Sequence, residues 1–126
     1  WEQFNDDIIK DGPRFVKSNR DTWAALSSDH LKVAFSHFSF AINYLQEEDG
    51  TVTATLDDFG LVENGDNKEV LDLIVDELIE YANEYYENFN LYFNSSNRRD
   101  HFPYIMNVLA QDNNDDVKGL ITCQAG

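Results

Sequence analysis

"DNKEVLDLIVDELIEYANEYYENF", residues 66–89, decides the architecture. Place Val70 at 0° and advance ~100° per residue. Leu71, Ile74, Val75, Leu78, Tyr81, Ala82, Tyr85, Tyr86 and Phe89 then fall between roughly 20° and 160°, and Tyr92 and Phe93 continue the arc. Glu69, Asp72, Asp76, Glu77, Glu80, Glu84 and Glu87 fall between roughly 200° and 340°. The arcs do not overlap. The spacing predicts one long amphipathic helix whose apolar stripe lies on a sheet. Asp66 or Asn67 is expected to cap its start, and Glu69 suits its positive end.

The stretch holds eight acids and one base, Lys68. Acids three or four positions apart repel by a few tenths of a kcal/mol per pair. Burying the stripe, at about 1.5–3 kcal/mol per large side chain, outweighs that repulsion. Folding therefore permits the acids without requiring them, and lysines at half these positions would serve folding better. Two readings follow: a solvated face, or a surface for a basic partner.

Upstream the period changes to two. In "FSFAINYL" (38–45), Phe38, Phe40, Ile42 and Tyr44 alternate with Ser39, Ala41 and Asn43. "QEEDG" is a polar turn with the Asp49-Gly50 hairpin signal. "TVTATL" alternates Val52, Ala54 and Leu56 with three threonines, which suit an exposed strand face. "DDFG" turns the chain, "LVE" reads as a third short strand, and "NGD" opens the helix.

The flanks are plainer. Phe4, Ile8 and Ile9 give residues 2–10 a helical pattern that Gly12-Pro13 stops. Asp21 is expected to cap a helical turn through Trp23 and Leu26, and Ser28 a second one carrying Leu31, Ala34 and Phe35. After the long helix, "NSSNRRD" is a loop. Pro103 can open a helix whose buried side is Ile105, Met106 and Leu109. "DNNDD" should break it, and "VKGLITC" reads equally as strand or short helix. The fold class is α+β: a small antiparallel sheet of about three strands, one long helix across it, and short flanking helices. The chain, 1–126, reads as one domain: a helical extension (1–36), the hairpin–strand–helix core (37–93), and a loop and helix (94–126).

The 126 residues are 42% hydrophobic, enough for a core and against wholesale disorder. No apolar run approaches the ~18 residues of a membrane span. No leader pattern is visible, although a chain starting with Trp rather than Met leaves a removed leader open. A lone cysteine, Cys123, cannot make an internal disulfide and fits a reducing cytoplasm. The net charge of −15 is uneven. Residues 1–36 and 97–126 are each near neutrality, whereas 37–96 carry fourteen acids and one base. Nucleic acid and anionic membranes would be repelled. A cationic protein would be attracted and steered.

Catalytic and metal motifs fail on inspection. Asp58-Phe59-Gly60 matches the kinase tripeptide, but the glycine-rich and catalytic loops are missing. "DNNDDV" begins like a calcium loop but has Val117 where glycine belongs and Cys123 where glutamate belongs. His30, His37 and His101 lack zinc spacing, so no metal or cofactor is expected. Arg98 and Arg99 are the only adjacent bases. They read as partners of nearby acids and of the helix C-terminus. The alternative is an anion or partner contact with His101, itself a candidate pH switch.

The segment "INYLQEEDGTVTATLDDFGLVENGDNKEVLDLIVDELIEYANEYY" resembles the core of the HicB-type antitoxins. There an acidic-turn hairpin like Glu47–Gly50, a third strand, a polar turn like Asn64-Gly65-Asp66 and a long helix follow in this order. The resemblance covers about residues 40–86. It implies a truncated ribonuclease H fold without catalytic machinery that masks a small basic messenger-cleaving toxin, often beside a separate DNA-binding segment. The tail, 94–126, does not match such a segment.

The leading expectation is thus a non-enzymatic cytoplasmic antitoxin or immunity-type protein that occludes a basic toxin. Its contacts are expected from Asp57, Asp58, Glu63, Asp72, Asp76, Glu80, Glu84 and Glu87. No nucleic-acid or membrane binding is expected, and a homodimer is left open. The alternatives are a nucleic-acid mimic that blocks a nucleic-acid-binding enzyme, and a ligand-binding domain with a pocket beneath Tyr81, Tyr85 and Tyr92.

Overall fold

The computed structural model describes residues 1–123. In chain order the elements are α1 (Glu2–Asp11), β1 (Arg14–Lys17), β2 (Thr22–Ala25), α2 (Ser28–Ala34), β3 (Phe40–Gln46), β4 (Val52–Leu56), β5 (Leu61–Gly65), α3 (Val70–Glu87), α4 (Phe89–Phe93), α5 (Phe102–Leu109), α6 (Asn114–Lys118) and β6 (Ile121–Cys123). The α+β class and the long helix across a sheet are as the sequence predicts.

The sheet is larger than the expected three antiparallel strands. Its order is β5-β4-β3-β6. The β3–β4 and β4–β5 pairs are antiparallel, and β6 adds a parallel edge by pairing Phe40 with Ile121 and Ile42 with Cys123. "VKGLITC" is therefore both options at once: Val117 and Lys118 end α6, and Ile121 starts the strand. Alternation holds where one face is buried. Phe40, Ile42, Val52, Ala54 and Leu56 point to the core, and Thr53 and Thr55 face the other way.

Turns set the register. Gly50 (φ 89°) closes the β3–β4 hairpin, where the Glu47 N–H donates to the Thr51 carbonyl at 2.9 Å. A 3₁₀ turn, Asp57–Phe59, joins β4 to β5 and ends at Gly60 in the left-handed region (φ 67°). The side-chain cap expected from Asp66 or Asn67 is absent from α3. Instead the Asp66 carbonyl accepts from Glu69 and Val70 at 3.0 and 2.9 Å, so a backbone turn leads into the helix.

Val70, Ile74, Leu78, Ala82 and Tyr85 of α3 are buried against the sheet, α5 and α6. The helix stops at Glu87. Asn88 leaves helical geometry, and its Nδ2 donates to the Glu84 carbonyl at 3.2 Å. A helix-interior asparagine offers the backbone this competing bond. Tyr86, expected in the buried stripe, is 67% exposed: at roughly 160° it sits at the edge of the arc, whereas Tyr85 beside it is 1% exposed.

Other flank expectations are corrected. Residues 14–25 form a hairpin, not the predicted helical turn. Polar Ser18–Asp21 is its loop, with Ser18 Oγ bonding the Asp21 backbone at 3.0 and 3.1 Å. Ser27, not Ser28, caps α2, and His30 Nδ1 completes a capping box by accepting from the Ser27 N–H at 3.2 Å. "DNNDD" ends α5 but also starts α6, with Asn113 as cap. In α5 the buried residues are Ile105, Asn107 and Val108, whereas Met106 and Leu109 are half-buried.

Asn107, 1% exposed, donates to the Phe38 carbonyl at 3.0 Å and accepts from Gln111 Nε2 at 3.1 Å. It joins α5 to the start of β3. Asn107→Ala strips the Phe38 carbonyl of this donor, while Gln111 Nε2 keeps the Asn107 backbone carbonyl at 2.9 Å. The expected loss is about 1–3 kcal/mol in urea unfolding; a loss within error would show the link to be structurally idle.

Candidate functional site

The eight predicted contact acids do not form one surface. Asp76, Glu80, Glu84 and Glu87 do converge, because each step of three or four residues returns to the same side of α3. With Ile79 and Asn83 they line a shallow groove of about 440 Å³. Among the described residues no lysine or arginine lines it. Asp72 lies one turn earlier and pairs with Lys118 at 3.0 Å. Asp57 and Asp58 sit elsewhere, on the 3₁₀ turn. Asp57 accepts from Asn43 Nδ2 at 2.8 Å, and the Asp58 carbonyl faces His101 Nε2 at 2.9 Å.

Glu63 points inward. It pairs in register with buried Ala54, so its side chain faces α3. There it meets Glu77, half-buried, whose Oε2 is shielded from solvent without a hydrogen-bond partner. Burial, and then the facing Glu63 carboxylate, push the Glu77 carboxyl up to about 7. A proton on Glu77 satisfies this arrangement by donating to Glu63. Glu77 had a sequence signal: at roughly 340° it sits beside the stripe that begins at Val70.

Arg98 and Arg99 do not pair with nearby acids as the sequence suggests. The Arg98 guanidinium lies 4.7 Å from the Tyr92 ring centroid and 5.5 Å from that of Tyr81, and Arg99 lies 4.4 Å from Phe93. Both are attracted to aromatic faces. Among the described residues neither forms an ion pair. His101 is a brace. Its Nε2–H donates to the Asp58 carbonyl, which leaves Nδ1 to accept from the Tyr81 hydroxyl at 2.7 Å. Burial pushes its pKa down, and nearby Arg98 adds to this. Both bonds suit the neutral ring. The tyrosines are core packing: Tyr85 and Tyr92 stack at 5.4 Å, and Tyr85 donates to the Arg98 carbonyl at 2.9 Å.

Among the described residues no cluster of histidine, cysteine and acids could hold a metal. None of their helices is long and apolar enough to cross a membrane.

The site thus consists of an acidic helix face on a sheet, with His101 serving as a brace. The comparisons place this chain among antitoxins. The PHD-like family, described as "Antitoxin of toxin-antitoxin, RelE / RelB, TA system", matches residues 1–123, and the chain belongs to it. A crystal structure of an antitoxin part of a proposed toxin/antitoxin system from Syntrophomonas wolfei subsp. wolfei superposes with a TM-score of 0.88 at 35% identity. The match covers 98% of this chain and 89% of that one. No curated protein matches in sequence. The chain is thus a non-enzymatic antitoxin, and its partner is a toxin.

Two groups titrate with opposite effect. Glu77, raised, contributes stability that is complete below about pH 4.5 and lost as pH rises through about 7. His101, lowered from 6.5, contributes stability present above that pH and lost as pH falls below it. Glu77→Gln keeps the site neutral. Thermal melts should show it more stable than the parent at pH 8, with the advantage shrinking toward pH 5. A difference that does not vary with pH would refute the assignment.

Proposed function

We propose that the α3 face carrying Asp76, Glu80, Glu84 and Glu87 is the surface with which this antitoxin covers a cationic toxin. The observation behind this is their convergence on one groove that no base lines among the described residues. The near-neutral flanks and a net charge of −15 give the molecule one strongly negative zone. Such a zone raises association rates with a positive partner by roughly 10 to 10³. A messenger-cleaving toxin suits the reading, because an RNA-binding surface must itself be cationic. The same charge argues against nucleic-acid binding by this chain. Asp57 and Asp58, on the 3₁₀ turn, would extend the contact; Arg98 and Arg99, stacked on Tyr92 and Phe93, could meet only an acidic part of the toxin, and His101 stays committed to Tyr81 and Asp58. Glu63 contributes less, since it is turned toward Glu77.

The β3–β4–β5–α3 order matches what the HicB-type resemblance implies for residues 40–86. That supports the sheet-and-helix layer as the toxin-facing part. Solution in the cytoplasm, beside a cytoplasmic toxin, fits the lone exposed Cys123. A homodimer would use the near-neutral N-terminal third, where Trp1, Phe15 and Trp23 are exposed, because the acidic middle repels its own copy.

The test is the triple variant Glu80→Gln, Glu84→Gln, Glu87→Gln against the toxin partner. Association should slow about tenfold or more at low ionic strength, and the salt dependence of the on-rate should flatten. An on-rate in the parent protein that ignores salt would end the electrostatic account.

A further inference from the structure

The acidic groove does not stop at α3. Ile79 and Asn83, which line it, also line a second cavity of about 170 Å³ between α3, α5 and α6. The floor of this cavity is apolar: Ala82, Val108 and Val117 are buried, and Ile79 and Leu109 pack half-buried against the core. Asn83, Gln111, Asp112, Asn113 and Asn114 make up the polar half of its lining. Asp112 is held by Lys32 at 3.0 Å, so the rim is fixed from α2. A cavity of about 150 Å³ suffices for a benzene-sized group. The space therefore suits one branched or aromatic side chain.

Two features thus share one trench, a socket without charge on its floor and a run of four carboxylates leading into it. Charge alone gives fast but unselective attraction, and a buried apolar anchor gives residence time. We propose that this socket seats a single large apolar side chain from a lysine- or arginine-rich segment of the toxin, whose cationic neighbours lie along Asp76, Glu80, Glu84 and Glu87. The proposal rests on the reading of α3 as the toxin-facing surface and adds a specificity determinant to it. The occupant is basic because Asp76, Glu80, Glu84 and Glu87 line the groove without an ion pair among the described residues, whereas the socket's one acid, Asp112, is already held by Lys32. It must carry an apolar residue because water gains little from a floor of Ala82, Val108 and Val117.

The probe is a lysine-rich amphipathic peptide with one central leucine, compared with the same peptide bearing serine there, by amide chemical-shift mapping on the whole chain. The leucine peptide should bind about tenfold more tightly. Its largest perturbations should centre on Ile79, Ala82 and Leu109. Asn83→Trp, a change at an exposed rim position, should fill the socket and remove the difference between the peptides. Equal affinities, perturbation away from the socket, or no binding by either peptide would overturn the proposal. In cells, Asn83→Trp should weaken toxin neutralisation. If it does not, while the triple glutamine variant does, the socket is wrong and the acidic face stands. If neither variant weakens neutralisation, both readings fall.

Discussion

Everything in this molecule depends on the apolar stripe of α3 staying out of water. Val70, Ile74, Leu78 and Ala82 are fully buried, and α3 meets β4, β5, α5 and α6 at once. Among the described residues no other element packs extensively on so many neighbours. Because one side of the helix is committed to the core, its other side is free of packing demands. The carboxylates occupy that side at a cost of tenths of a kcal/mol per neighbouring pair, against several times that for each buried apolar residue. On the proposed reading, stability and recognition fall on opposite sides of one rod, so surface charge can change without disturbing the fold.

The boundary between the two sides is less tidy than an angular plot suggests, and Glu77 shows why. Its angle puts it with the acids, but the sheet beneath α3 is wide enough to cover it. It then faces Glu63, which the pleat of β5 turns the same way. Two carboxylates at an interior edge are a local defect that a shared proton relieves. A helical wheel gives direction from the axis, whereas burial depends also on how far the neighbouring layer extends.

That distinction explains what was legible in the sequence. Periodicity of two and of 3.6 sufficed for β3, β4, β5 and α3, because each has one buried and one wet face. It could not place β6, whose three residues are too short for a pattern and whose partner is Phe40–Ile42, far away in sequence. The N-terminal hairpin was missed because Asp21 serves equally as a helix cap or in a polar loop, and only pairing between Val16 and Trp23 decides. At the candidate surface, convergence of Asp76, Glu80, Glu84 and Glu87 followed from spacing. The positions of Asp57, Asp58 and Glu63 did not, because they depend on turn geometry and strand register. The stacking of Arg98 and Arg99 on aromatic rings required knowing where α4 folds back. The roles of Ile79, Asn83 and Leu109 in the trench required two helices to be brought together.

The parallel edge carries a further implication for how the chain is made. Thr122 Oγ1 reaches the Phe40 carbonyl across 82 positions, and the Phe40 N–H already donates to the Leu120 carbonyl at 2.8 Å. During synthesis from the N-terminus, half of β3 must wait with an unsatisfied backbone edge until residues 120–123 have left the ribosome. A nascent or C-terminally clipped chain would present that bare edge to proteases and to other strands. Among the described strands, the one made last is therefore also the one that seals this edge of β3.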